Sequence, residues 1–193
     1  MPITTQDIQK LRAQTGAPIL DCKKALEEAK GNFEKAKALL RKRGKKLLAE
    51  REEKEAKEGI IGSYVHSNGK IAALVEVNCE TDFVAKNNDF IELAHDLAMQ
   101  VAATNPKCLV PEEVPKEDIT KEIQACKAEF EGKPKAVIEK ITKGRIKEYC
   151  EEISLLKQPF IKDANITVEE YIAEKVAKLG EKIEVKRFVR MEI

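Results

Sequence analysis

Ile71-Ala72-Ala73-Leu74-Val75-Glu76-Val77-Asn78-Cys79-Glu80-Thr81-Asp82-Phe83-Val84 runs from an apolar strand pattern into a polar turn that carries a large aromatic. Residues 71–77 read as strand, whereas Phe90 to Val101 place apolar residues at helical spacing. Phe83 falls in the connection, beside the carboxylate of Asp82. A core Phe normally sits inside a regular apolar period. Phe83 therefore either folds back onto its own domain, as most apolar side chains do, or reaches for a partner.

Upstream, Ile61, Ser63 and Val65 alternate with Gly62, Tyr64 and His66, and Asn68-Gly69 separates this run from the strand at 71–77. Asn-Gly between two such runs predicts a hairpin, because both central residues tolerate positive φ. Downstream, a helix from about Asn87 is expected to bury Phe90, Leu93, Ala94, Leu97, Met99 and Val101 and to end at Asn105-Pro106. Residues 116–156 suggest further helices broken at Gly132-Lys133-Pro134 and at Gly144. Ile119, Ile123 and Phe130 mark one apolar face there; Val137, Ile141, Tyr149 and Ile153 mark others. Val168, Tyr171, Ile172 and Val176 predict a short helix that stops near Gly180. The chain closes on a strand with Ile183, Val185, Val189, Met191 and Ile193 on one face and Glu184, Lys186, Arg190 and Glu192 on the other. Arg187 and Phe188 break that alternation. Residues 60–193 thus read as one α+β domain, an antiparallel sheet with helices packed on one side.

Residues 4–43 read as three short helices. Thr4 or Thr5 can cap the first, with Ile8 and Leu11 facing inward. Thr15-Gly16-Ala17-Pro18 is a turn, and Pro18 suits the first position of the next helix, where its missing N–H costs nothing. Ile19, Cys22, Leu26 and Ala29 follow at helical spacing; after Gly31-Asn32, Phe33, Ala36, Leu39 and Leu40 do the same. A core built by residues 1–44 is near the lower limit for independent folding and has no room for a buried active site. Such a module suits docking. Residues 45–59 read as a charged helical linker with i,i+4 pairs Glu50–Lys54 and Glu53–Lys57.

Charged residues make up 36% of the 193-residue chain, yet the net charge is only +1. That balance speaks against a general nucleic-acid binder, which needs a net basic face to release counterions. The cluster Arg41-Lys42-Arg43-Gly44-Lys45-Lys46 is followed by acidic residues and has no interleaved aromatic. No apolar run approaches the roughly 18 residues that span a bilayer. The segment Met1-Pro2-Ile3-Thr4-Thr5-Gln6-Asp7 lacks the features of a signal peptide. Five scattered cysteines, Cys22, Cys79, Cys108, Cys126 and Cys150, with no C-x-x-C pair suggest reduced thiols in a cytosolic protein.

Little predicts an active site. The chain holds two histidines, His66 and His95, and no nucleophile elbow, phosphate loop, dinucleotide fingerprint or zinc spacing. A thiol nucleophile Cys79 with His95 as base is the one enzymatic alternative, and nothing in the sequence links the two. No catalytic residue, metal or cofactor is expected.

The run from Leu11 to Leu26, Leu-Arg-Ala-Gln-Thr-Gly-Ala-Pro-Ile-Leu-Asp-Cys-Lys-Lys-Ala-Leu, resembles the start of the elongation factor Ts family. Residues Val75 to Ala85 resemble that family's second signature, and Gly144-Arg145 through Gln158-Pro159-Phe160 and Arg187-Phe188-Val189-Arg190 are similar to it as well. The likeness covers essentially the whole chain in order. It implies a ubiquitin-associated-like three-helix N-domain, a core domain and guanine-nucleotide exchange on the GTPase elongation factor Tu in the bacterial cytoplasm. Thr81, Asp82, Phe83 and Val84 would then contact the GTPase. Asp82 would help fix the turn, and Phe83 would be the apolar wedge near the Mg²⁺ site. The face around Arg12, Ile19 and Leu20 would dock on the same GTPase domain. Departures are also present: Pro18-Ile19-Leu20 stands where many members read Gly-Met-Met, and Gln100 where many have His. Longer members carry two related core halves, whereas this chain has one hairpin-plus-helix unit. The resemblance is to the short form, for which a homodimer binding two GTPase molecules is implied, with the terminal strand at the interface and no direct nucleic-acid or membrane contact. The alternative is an adaptor whose helical module binds ubiquitin-like or nascent-chain partners.

Overall fold

Thr4 opens helix α1 (Thr5–Thr15) in the computed structural model, which describes residues 3–51, 53–130 and 134–193. Its hydroxyl accepts the Asp7 N–H at 3.2 Å while the Asp7 carboxylate accepts the Thr4 N–H at 3.0 Å, a capping box. Gly16 ends α1 at φ +68°, in the left-handed region, and returns its N–H to the Arg12 carbonyl. Pro18 is the N-cap of α2 (Ile19–Glu28), one residue earlier than its expected place, because its ψ of 143° is still extended. Asn32 caps α3 (Phe33–Glu50) by accepting the Lys35 N–H. Leu11, Cys22, Ala25, Leu26, Ala36 and Leu40 close the core among these helices. Ile19 does not join them; it is exposed.

Helix α3 continues past residue 44 to Glu50 and ends there, so the charged stretch is helical only in its first part. Gly44 permits the continuation. A Cβ at that position would lie 2.2 Å from the Ala173 carbonyl oxygen of α8 (Val168–Leu179). Arg41 and Lys45 reinforce the contact through Glu174 at 2.5 Å and Glu170 at 3.2 Å. The predicted local pairs are replaced: Lys54 pairs across the fold with Glu80, Lys57 with its neighbour Glu55, and Glu50 back along α3 with Lys46. A surface i,i+4 pair contributes only about 0.2–0.5 kcal/mol and cannot hold a helix against such competition.

Strands β1 (Glu58–Val65), β2 (Ile71–Cys79) and β5 (Ile183–Glu192) form an antiparallel sheet with β2 in the middle. The β1–β2 connection is longer than a two-residue Asn-Gly turn. The Gly69 N–H returns to the His66 carbonyl at 2.8 Å, and of the loop residues Gly69 takes the positive φ while Asn68 accepts the Lys70 N–H with its side chain. Ala73, Val75, Val77 and Cys79 of β2 are buried beneath α5 (Asn88–Thr104), which buries Phe90, Leu93, Ala94, Leu97, Ala98 and Val101. The approach is close: a Cβ on Gly62 of β1 would sit 2.1 Å from the Ala94 carbonyl oxygen. Gln100, not Met99, takes the fully buried position near the end of α5, so it packs inside and is not a surface contact. Tyr171 of α8 donates to the buried Asp96 carboxylate of α5 at 2.9 Å.

Strand β5 departs from the simple alternation. Val77 pairs with Val185 but Glu76 pairs with Arg187, so Lys186 bulges out of register. Past the bulge every side chain changes face. Ile183 and Val185 remain inside, as predicted, but Val189, Met191 and Ile193 turn out and are exposed. Arg190, predicted to face outward, turns in and donates to the Ala102 carbonyl at 3.0 Å.

The chain divides into two compact units, one running to Ala102 and including Glu169–Ile193, the other Ala103–Val168. In the second unit α6 (Lys116–Glu129) and α7 (Lys135–Ile153) make a helical hairpin. Arg145 joins Glu122 at 3.0 Å and Glu129 at 2.5 Å across it, and Thr142 donates to Cys126 Sγ at 3.4 Å. Helix α7 runs through Gly144 without a break, and the break predicted at Gly132-Lys133 lies outside the described residues. Two short strands, β3 (Pro159–Phe160) and β4 (Asp163–Thr167), pair after it; no alternation in the sequence announced them.

Candidate functional site

Strand β2 stops at Cys79, and two residues later Thr81 caps α4 (Asp82–Ala85), a single helical turn. The Thr81 hydroxyl accepts the Val84 N–H at 3.5 Å. One turn of helix does not persist alone, because nucleation fixes several residues for one hydrogen bond. Tertiary bonds hold this one. The Glu181 carboxylate accepts the Thr81 N–H at 3.0 Å and the Thr81 hydroxyl at 2.7 Å. The neighbouring Glu80 carboxylate accepts the Lys182 N–H at 2.7 Å and pairs with Lys54 at 3.2 Å and with Arg51. Ala85 is buried beneath the turn and Val84 is half-buried. Phe83 is neither: it is 82% exposed and does not fold back onto its own domain.

Asp82 lies on the same surface, its carboxylate 2.7 Å from Lys86 Nζ, and that hydrogen bond holds its carboxyl below the ordinary value. Within this chain Thr81 with Glu181 and Glu80 ties the turn to the body, and Asp82 spans the turn itself through Lys86. Glu181 was not legible as a site residue, because it lies 100 residues from Thr81 and carries no local pattern.

Burial alone would raise the Glu80 carboxyl, but the Lys182 N–H, Arg51 and Lys54 bring it down to about 2 from an ordinary 4.5. A depressed carboxyl contributes stability that is complete above its unfolded pKa and disappears as the folded pKa is approached. Urea titrations should therefore show Glu80→Gln less stable than wild type at pH 5.5, with the gap closing as pH falls from 4.5 towards 2. A gap independent of pH would remove the ionic account of this contact.

On the N-terminal helices, Ile19 is 54% and Leu20 70% exposed, and Arg12 on α1 is exposed too. The turn between α1 and α2 rests on α8, where a Cβ on Gly16 would lie 2.6 Å from Lys178 Cδ. Lys178 Nζ in turn binds Asp89 in the first turn of α5 at 2.6 Å. Helix α8 thus supports both the N-terminal turn and the start of the helix that follows Phe83.

Cys79 and His95 are not brought together. The Cys79 thiol is fully buried, donates to the Thr81 carbonyl at 3.2 Å and is pushed up to about 11 chiefly by burial, so it stays protonated. His95 Nδ1 lies 3.0 Å from the Ser63 carbonyl and its ring stands edge-on to Tyr64. All five cysteines are free and buried. Among the described residues no cluster of His, Cys, Asp or Glu could hold a metal ion.

The α+β body displays exposed apolar side chains at the start of α2 and on the α4 turn, an arrangement suited to docking on another protein. A family model described as Elongation factor TS matches residues 5–193. The chain is 52% identical over 193 residues to Elongation factor Ts of Moorella thermoacetica, covering 99% of this chain and 95% of that protein. It is 48% identical over 193 residues to the protein of the same name from Carboxydothermus hydrogenoformans, covering 99% and 89%. It is 48% identical over 194 residues to that from Thermodesulfovibrio yellowstonii, covering 100% and 97%. The chain belongs to the elongation factor Ts family, and that membership implies translation elongation and nucleotide exchange on elongation factor Tu.

Proposed function

We propose that this chain docks on elongation factor Tu bound to GDP and opens the nucleotide site by pressing Phe83 between helices of the GTPase domain. The observation that carries this reading is Phe83, 82% exposed on a helical turn that the rest of the chain holds in place. GDP in such a GTPase is held by backbone N–H groups around its phosphates and through Mg²⁺. An exchange factor does no covalent chemistry; it binds the nucleotide-free state more tightly than the nucleotide-bound one, and linkage lowers nucleotide affinity. Phe83 supplies the apolar contact, Asp82, Thr81 and Val84 line the contact around it, and shifted GTPase helices disturb the Mg²⁺ ligands. Residues 1–44 act as the docking module through Arg12, Ile19 and Leu20, residues 45–59 as its charged tether and residues 60–193 as the core. Apolar character at the docking face survives the Pro18-Ile19-Leu20 departure, because Ile19 and Leu20 are both exposed.

The working assembly is a homodimer that binds two GTPase molecules in the cytoplasm. Its interface is the outer face of the sheet, where Ile61, Val65, Leu74, Val189 and Met191 are exposed together. Direct nucleic-acid and membrane contact are not part of this reading; Arg41, Arg43 and Lys45 are answered by Glu174, Glu28 and Glu170, and no described helix is long and apolar enough to cross a membrane. Stopped-flow release of a fluorescent GDP from elongation factor Tu tests the function. Release should accelerate strongly with added protein. Unchanged release would overturn exchange and restore the adaptor reading.

A further inference from the structure

Two dipeptides 100 residues or more apart in the chain hold each other. Glu181 accepts the Thr81 N–H at 3.0 Å and the Thr81 hydroxyl at 2.7 Å, while Glu80 accepts the Lys182 N–H at 2.7 Å. Each dipeptide, Glu80-Thr81 and Glu181-Lys182, gives its carboxylate to a backbone N–H of the other. The bonds lie just beyond the last ladder pair of β2 and β5, Cys79 with Ile183, and extend the sheet with side chains where its backbone pairing ends. Gly180, at φ +75°, turns the chain out of α8 into this position. Glu80 is itself anchored by Arg51 and Lys54, whereas Glu181 makes no ion pair among the described residues, so its carboxylate serves Thr81.

We propose that Glu181 is a positioning residue for nucleotide exchange. It fixes Thr81, Thr81 caps the Val84 N–H, and this cap sets the direction in which Phe83 leaves the body. Glu80 locks the Lys182 backbone from the other side. The inference rests on the exchange reading and adds to it a residue that need not touch the GTPase. Without the latch the Thr81 N–H turns to water and the α4 turn visits other conformations. Only the fraction with Phe83 correctly aimed is competent, and apparent affinity falls by that fraction. The rate reached at saturation changes little, since Phe83 still enters the same place once bound.

The test is fluorescent GDP release from elongation factor Tu measured across a range of concentrations of this protein. Glu181→Ala should raise the concentration for half-maximal stimulation about tenfold with the plateau rate within about twofold. Glu181→Gln keeps one acceptor oxygen and should fall between. In a Phe83→Ala background the Glu181→Ala change should cost little more, because the two residues act as one unit. Circular dichroism and thermal unfolding identify any variant that fails to fold, and the milder Glu181→Gln change then decides. A Glu181→Ala protein with wild-type half-saturation, or a loss that adds in full to that of Phe83→Ala, overturns the inference. Amide hydrogen exchange of the free protein separates the latch from the exchange reading. If wild type does not accelerate GDP release, the positioning role falls with that reading, while a slow Thr81 amide that Glu181→Ala makes fast still reports the latch.

Discussion

Phe83→Ala should lower the stimulation of GDP release from elongation factor Tu by about ten- to a hundredfold while leaving this chain's own stability nearly unchanged. Both halves follow from exposure. A side chain 82% open to solvent contributes little to folding, and its removal should move stability within about 0.5 kcal/mol. Burying the same ring in a partner is worth about 1.5–3 kcal/mol by area, and each 1.4 kcal/mol is about a factor of ten. Phe83→Leu should retain part of the effect, because the wedge needs apolar volume more than aromaticity. Stopped-flow release with each variant reads the first half, and urea unfolding reads the second. A Phe83→Ala protein that exchanges as well as wild type would move the mechanism to Arg12, Ile19 and Leu20. A variant that unfolds several kcal/mol more easily would mean that Phe83 packs on its own domain after all.

The strand at 71–77, the helix after Asn87 and the three N-terminal helices were legible because each has a clean period, 2.0 or about 3.6, and a local stop signal. That Phe83 belongs to neither period was legible too, but whether it folds back or stays exposed was not. What could not be read was set by contacts distant in sequence. Helix α3 passes Gly44 because Ala173 lies against it, and the linker beyond Glu50 gives its lysine to Glu80 instead of to its own helix. The latch on Thr81 comes from Glu181, which looks like any surface glutamate after a helix-ending glycine. The β5 bulge left only a trace, the break at Arg187-Phe188, and a single displaced residue reversed the face of everything after it.

That reversal gives the second large effect. Before the bulge Ile183 and Val185 point into the core; after it Val189 and Met191 point to the opposite side, beside Leu74 of β2 and Val65 of β1. The exposed rows read Ser63-Leu74-Val189 and Val65-Ala72-Met191, with Ile61 beside the Glu76–Arg187 ion pair that makes a polar rim at one end. In the proposed homodimer a second copy covers this face, since a two-fold interface brings like patches together. Val189→Glu should therefore weaken the homodimer by at least about a hundredfold. The change forfeits burial of an apolar side chain, about 1.5–3 kcal/mol, and sets an unpaired carboxylate in a dry interface, which costs a further few kcal/mol. Each copy should keep its fold, because Val189 is 49% exposed in the single chain and supports no core. Sedimentation equilibrium should show a dimer for wild type and a monomer for Val189→Glu at micromolar concentration. If the missing half of the core comes from the second copy, GDP release per chain should fall in step with dissociation and recover as concentration is raised. A wild-type protein that sediments as a monomer at tens of micromolar would refute the assembly, and the outer face would then be left for a different partner.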